Sequence, residues 1–306
     1  MSPAPGQGCS YQSRTRNDPM YGTASAGSRW LMLELCGGWG HSAFLQSPAC
    51  IDPTLGRAIV HRAEKAGMRV AAIRKHGRRP ATRRWRWFVA HSDPGREALF
   101  AGEVGDPAEY LTLDLDGHDG ARTSDPVVAI CAHGKHDQCC AVRGRSATAA
   151  IDAVYHDFTW ECSHLGGDRF AATMLVLPEG LCYGRVDSTD AAGLVRSYLD
   201  GRLHNDVLRG RTSLPHAVQA AQYFAREASG EDRIDALGPL SVDREGATTR
   251  VVLDAGPSTV TVTLGERMSE PLLSQCSAKV EGSVRIFTLV DLEIGRQSGS
   301  LGGLLC

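Results

Sequence analysis

Three cysteines and two histidines stand within ten positions where an apolar run gives way to a loop, in VVAICAHGKHDQCCAV, residues 127–142. Side chains of these types at this density hold a metal ion or cluster, carry out thiol chemistry, or are buried thiols, since free cysteine is among the most buried residue types. Cys131 falls at the end of the apolar run, where a strand stops and backbone amides can point at a sulfur, and Cys140 follows nine positions on. A zinc knuckle spaces its thiols by about two to four residues, whereas this longer spacing suits a larger object such as an iron–sulfur cluster. Gly134 and Lys135 would offer pliable backbone and positive charge to an anionic cluster. A second stretch, WECSHLGGDRFA, residues 160–171, carries Cys162, His164 and Asp168 as possible ligands around the tight turn that Gly166 and Gly167 force. If both loops leave the same end of one sheet they face each other, which is what a four-ligand site needs.

The elements that would position these loops follow from pattern. RWLMLEL predicts a strand with Leu31, Leu33 and Leu35 on one face, and DPTLGRAIVHRAEKAG a helix with Asp52 as N-cap, Pro53 in the first turn and Gly67 after the last. MRVAAIRK and RWRWFVAH predict strands, giving β-α-β-β over about residues 29–91, and a further strand is expected around Tyr110–Leu115. Beyond a boundary near residue 118, PVVAIC, SATAAIDAVYH, FTWECSH, the pair AATMLVL and LCYGRV, and a helix capped by Ser188 give β-α-β-β-β-α. LPHAVQAAQYFAREASG is periodic as a helix, with Val218, Ala221, Phe224 and Ala225 on one stripe, and two hairpin strands and VRIFTLVDLEI follow. The division expected is a flexible tail over 1–25, an α/β domain over 26–118, the cysteine-bearing α/β domain over 119–205 and an α+β region with a frayed end over 206–306. The two β-α-β-β runs could be one fold used twice.

Composition narrows the chemistry. The chain has 306 residues, is 42% hydrophobic and 22% charged, and carries a formal charge of −2, so nothing global favours nucleic acid or an anionic membrane. No apolar run approaches the ~20 residues of a spanning helix, and the first residues lack the apolar stretch of a signal peptide, so the cytoplasm is the expected compartment. Ten cysteines in a reducing compartment point to metal or redox chemistry before structural bridges.

The residues CAHGKHDQCC and CSHLGGDRFAATMLVLPEGLCYGRV resemble the sucrase/ferredoxin-like family, closely over about 127–200 and more weakly through GTASAGSRWLMLEL and SQCSAKVEGSVRIFTLVDL. The resemblance implies a thioredoxin-like ferredoxin domain with a [2Fe-2S] cluster. It implies that Cys131 and Cys140 are one ligand pair, leaving Cys139 as an extra thiol. The family's second pair, C-x3-C or H-x3-H, falls on His164 and Asp168, so this chain keeps a histidine at the first position and departs at the second. A carboxylate is a hard partner for a soft cluster and Cys162 is the softer donor. The expected set is therefore Cys131, Cys140, Cys162 and His164, with Asp168 competing for the fourth place. Neutral imidazole in place of thiolate raises the potential of such a centre, and an imidazole that can gain a proton makes it pH-dependent.

Two rival chemistries use the same residues. One is a thiol–disulfide oxidoreductase with Cys139 or Cys140 as nucleophile, against which no C-x-x-C stands at the strand–helix junction; the other is a redox-silent structural zinc site. His133 and His136 read as solvent-facing loop residues, Lys135 and Arg169 as screens for cluster charge, Cys36, Cys50, Cys182 and Cys276 as core thiols, and Cys9 and Cys306 as incidental. The stretch RKHGRRPATRRWRW, with Arg74, Lys75, Arg78, Arg79, Arg83, Arg84 and Arg86, reads as a solvated hairpin before a docking patch for an acidic partner or single-stranded nucleic acid. No G-x-G-x-x-G follows a strand, so electrons would come from a partner protein (a reductase or acceptor) or a small reductant rather than a nicotinamide or flavin. No carboxylate pair for glycoside hydrolysis stands out.

Overall fold

A computed structural model describes residues 8–77, 84–186 and 191–296. In chain order the regular elements are α1 (Cys9–Thr15), β1 (Arg29–Glu34), α2 (Pro53–Lys65), β2 (Arg69–Arg74), β3 (Trp85–His91), β4 (Ala98–Val104), β5 (Ala121–Arg122) and β6 (Val127–Cys131). They continue with α3 (Arg145–Tyr155), β7 (Thr159–Cys162), β8 (Met174–Leu177), β9 (Leu181–Tyr183), α4 (Ala191–Leu199), β10 (Leu208–Arg211), α5 (His216–Ser229), β11 (Pro239–Glu245), β12 (Thr248–Asp254), β13 (Ser258–Met268) and β14 (Arg285–Arg296).

Ten strands form one mixed sheet in the order β10-β9-β8-β6-β7-β2-β1-β3-β4-β5. Its two halves have the same plan. In the first, β1 pairs parallel with β2 and antiparallel with β3, and β3 antiparallel with β4. In the second, β6 pairs parallel with β7 and antiparallel with β8, and β8 antiparallel with β9. The halves meet where β2 and β7 run antiparallel over a short register, Ile73 opposite Cys162 and Arg74 opposite Glu161. The sheet is therefore continuous across residue 118.

Side-chain alternation along each strand sorts the core. Trp30, Met32, Ala71 and Ile73 of the first half share one buried cluster with Val127, Ala129, Cys131, Trp160 and Cys162 of the second. On the opposite face the halves keep separate cores. Leu31, Leu33 and Leu35 pack against Ile59 and Ala63 of α2, as their alternation predicts, while Val128 and Ile130 pack against Ala147 and Ile151 of α3 and Leu194 of α4. Burying each such side chain contributes roughly 1.5–3 kcal/mol, so the shared face welds the halves. A separate four-stranded antiparallel sheet, β11-β12-β13-β14, packs Val251, Leu253, Val260 and Val262 on Val218, Ala221 and Ala225 of α5.

Several local signals act as expected. Asp52 accepts from the amides of Thr54 and Leu55 at the start of α2; Ser188 lies outside the described residues. Three differences have physical causes. Pro107–Leu111 is a 3-10 helix where a strand was expected, because Asp106 and Glu109 form a reciprocal capping box. Tyr110 is buried there, its hydroxyl donating to the Glu34 carbonyl. The Arg-rich stretch is not a hairpin, since β1 lies between β2 and β3; Arg78, Arg79 and Arg83 lie outside the described residues. Residues 9–15 are helical where a loose segment was expected, with Cys9, Ser10 and Ser13 buried. Among the described residues no helix is long and apolar enough to cross a membrane.

Candidate metal centre

Both candidate loops leave the same end of the second half. β6 ends in Cys131 and β7 in Cys162, register partners on parallel strands, so the two loops start side by side. The chain returns into a π-helical turn over Cys140–Gly144 that continues as α3. Gly144 makes this return possible, because a Cβ there would collide with the Cys131 carbonyl.

The side chains of Cys131, Cys140, His164 and Asp168 converge. Cys140 Sγ lies 3.4 Å from Asp168 Oδ1, and Cys140 and His164 are the neighbours that pull the Cys131 thiol down. His164 Nδ1 lies 3.0 Å from Asp168 Oδ1, and His136 Nε2 lies 3.7 Å from Asp168 Oδ2. The His136 and His164 rings stand 3.8 Å apart between centroids, and His41 lies 5.0 Å from His136. Cys162 is 0% exposed on the strand itself, next to Cys131 and Cys182, and burial pushes its thiol well above the ordinary range. Asp168 thus contacts Cys140, His136 and His164, while Cys131 neighbours Cys140 and His164 and has Cys162 beside it on the next strand.

The electrostatics suit cation binding. The hydrogen bond from Cys140 pulls Cys131 down to about 6, and the same contact pushes Cys140 far up, so the pair holds one proton between two sulfurs. Burial pulls the His164 imidazole down, but its contacts with Asp168 and Cys131 and their charges outweigh that and raise it to about 9. Burial likewise opposes the Asp168 charge, and His164 more than offsets it, holding the carboxyl below its usual range. His136 Nε2 and His164 Nδ1 are buried without an aligned hydrogen-bond partner. The donor atoms of His136, His164 and Asp168 lie within 4.8 Å of one another and could hold a metal ion, with the Cys140 thiol against Asp168.

His133 was expected to face solvent, yet it is 3% exposed. Its Nε2 lies 2.6 Å from the Gly40 carbonyl and its ring packs edge-on to Trp39 at 5.6 Å, and burial pulls its pKa to about 4. It belongs to the wall between the halves. His136 is half-buried, and with His41, His133, His164, Ser163 and Phe44 it lines a cleft of about 490 Å³ that opens onto the centre. Nothing in the spacing pointed to His41, which arrives from the first half. Lys135 is exposed. Arg169 is buried and stacks over Phe170 at 4.4 Å, so it serves packing where a charge screen was expected. Two cysteines considered inert or incidental, Cys9 and Cys276, also come to the cysteine loop, at Cys139.

An α/β protein with two like-folded halves and a thiol–imidazole–carboxylate centre at the strand ends of one of them is the class these features define. The sucrase/ferredoxin-like family model matches residues 20–210, well over half of the chain, and the chain belongs to that family. Comparison with curated proteins gave no match, and neither did comparison with solved structures.

Proposed function

We propose that the chain is an electron carrier that holds one [2Fe-2S] cluster through Cys131, Cys140, His164 and a fourth donor. The convergence of two thiols with His164 and Asp168 at the ends of β6 and β7 carries this reading. The contacts favour Asp168 over Cys162 as the fourth donor, because Asp168 touches both Cys140 and His164. When bound, such a cluster takes up and returns one electron at a time. The chain's own residues set the conditions. Cys131 and Cys140 offer negative sulfur at a buried strand end, and His164 dilutes that charge with an imidazole. Each half has the strand order 2-1-3-4 within its own numbering, with the first two strands parallel, which supports a thioredoxin-like reading of the scaffold. The cleft at His41 and His136 is where a reductase or acceptor protein would approach, and a cytoplasmic setting suits the free thiols.

The test is a visible spectrum with iron and acid-labile sulfide analysis on anaerobically purified protein, alongside Asp168→Ala and Cys162→Ala. Two irons and two sulfides per chain, with absorption bleached by reductant, are expected. The Asp168 variant should shift or lose the spectrum while Cys162→Ala keeps it; the reverse outcome would move the fourth ligand to Cys162. A colourless protein after reconstitution, with Cys131 and Cys140 joined as a disulfide, would replace the cluster by thiol chemistry.

A further inference from the structure

At Cys139 the backbone is helical (φ −63°, ψ −38°), where consecutive side chains diverge by about 100°. Cys140 therefore turns to Cys131 and Cys139 turns elsewhere. Its Sγ lies 3.2 Å from that of Cys276 and 3.9 Å from that of Cys9, and Cys276 and Cys9 are 3.5 Å apart. Asp137 Oδ2 lies 3.8 Å from Cys9 Sγ, and the four donor atoms are all within 4.8 Å of one another.

A zinc–sulfur bond of about 2.3 Å in a tetrahedron spaces sulfurs by about 3.8 Å. The three observed separations cluster near that value and none approaches a disulfide bond of about 2.05 Å. The Asp137 carboxylate is aimed by the amides of Cys139 (2.7 Å) and Cys276 (2.6 Å), and each oxygen keeps a further lone pair. The Cys9 amide donates to Cys276 Sγ at 3.4 Å, as amides do to metal-bound thiolates. Gly8 is required beside this group, because a Cβ there would lie 2.6 Å from Cys139 Sγ. Cys9, Asp137 and Cys139 are buried and Cys276 is half-buried.

We propose that Cys9, Asp137, Cys139 and Cys276 form a closed four-donor zinc site, separate from the centre at Cys131 and Cys140. Three thiolates and a carboxylate would fill the four tetrahedral zinc positions and leave none open, the closed arrangement of a structural site. It joins α1, the cysteine loop and the segment between β13 and β14, donors up to 267 positions apart in sequence. Zinc binding then adds its free energy to folding and clamps α1 and the segment between β13 and β14 against the loop that carries Cys140.

Zinc and iron are measured separately on the full chain. Wild type is expected to hold one zinc, and Cys9→Ser and Cys276→Ser to lose it while keeping iron, sulfide and visible absorption. Cys131→Ser is expected to lose iron and keep zinc; after chelation, Co2+ added to that variant should give the intense tetrahedral thiolate bands. Zinc retained in both Cys9→Ser and Cys276→Ser, or no such Co2+ bands in the Cys131→Ser protein, would overturn the site. So would a disulfide among Cys9, Cys139 and Cys276 in peptide mapping of freshly isolated wild type. Failure of the cluster reading would show instead as absent iron with zinc intact.

Discussion

The two halves of the large sheet place the same residue types at the same stations, in different surroundings. In the first, Cys36 lies two residues past β1, Cys50 three before α2 and His76 two past β2; in the second, Cys131 closes β6, Cys140 opens the helical turn and His164 lies two past β7. Yet the Cys36 thiol is 3.7 Å from Glu34 and the Cys50 thiol 3.6 Å from the Gly38 carbonyl, while His76 turns across the seam to Glu161 at 2.9 Å. Burial pushes both thiols up, so they stay neutral, in contrast to Cys131. Thirteen residues separate Cys36 from Cys50 and eight separate Cys131 from Cys140. The shorter loop, with Gly144 permitting close approach, draws the helix start onto the strand end. Arg74 adds a second difference, since its guanidinium donates to the Gly37 carbonyl and stacks on Trp39 at 4.1 Å, setting a fixed cation beside the first-half pair. A strand-end cysteine and a helix-start cysteine thus recur in both halves, while the loop length and the neighbouring charge differ between them.

The largest effect that could break this comparison comes from removing each pair in turn. Cys131→Ser and Cys140→Ser should each abolish bound iron and visible absorption, whereas Cys36→Ser and Cys50→Ser should leave both at the wild-type level. Iron content and absorbance per chain check this. Loss of iron in the Cys36 or Cys50 variant would mean that the first half contributes to the centre and that the two halves do not differ as described.

The scaffold was legible where local chemistry decides it. The alternation in RWLMLEL, the Asp52 cap and the stripe Val218, Ala221, Ala225 all act as their pattern implies. The convergence of the loops after β6 and β7 was legible because parallel neighbours start their loops at the same sheet end. What the letters hid is long-range. Nothing near His41, Cys9 or Cys276 signals that folding carries them to the cysteine loop, and Cys9 sits in a stretch whose composition suggests no structure. An isolated cysteine becomes a ligand candidate only when distant partners are known; the adjacent pair Cys139–Cys140, whose side chains cannot face one point on a helix, was the available hint that two groups of donors exist. The strand β4 was missed because half-buried ALFAGEV lacks clear alternation.

The seam offers the next sharpening, because it joins the halves through few strand contacts. Glu161 is nearly buried and receives Arg74 at 2.7 Å on one oxygen and His76 at 2.9 Å on the other. Glu161→Gln should cost about 2 kcal/mol, since Arg74 loses its charged acceptor while remaining partly desolvated. Urea denaturation measures this, with iron content expected to hold because Glu161 is no donor to the centre. A stability change below about 0.5 kcal/mol would mean that apolar packing alone joins the halves.

The smallest expected effect lies at the same seam and depends on pH. Lys75, just past β2, reaches over β7 and donates from Nζ to the carbonyls of His156 (2.6 Å), Asp157 (2.9 Å) and Thr159 (3.1 Å), with the Trp160 ring 4.2 Å away. Burial lowers its pKa from 10.5 to about 8. The folded protein then binds fewer protons at this group than the unfolded chain between those two values, so its contribution makes stability rise with pH from about 8 toward 10.5, and the cost of the buried ammonium is present in full below 8. Lys75→Met should remove this rise, a difference of less than about 1 kcal/mol at a partly exposed site. The comparison of wild type and variant by denaturation at pH 7, 8, 9 and 10 isolates the term from the tyrosines and thiols that titrate in the same range. Parallel stability curves for the two proteins would show that the three carbonyls hold the charged form against burial, making Lys75 a fixed strap between the halves.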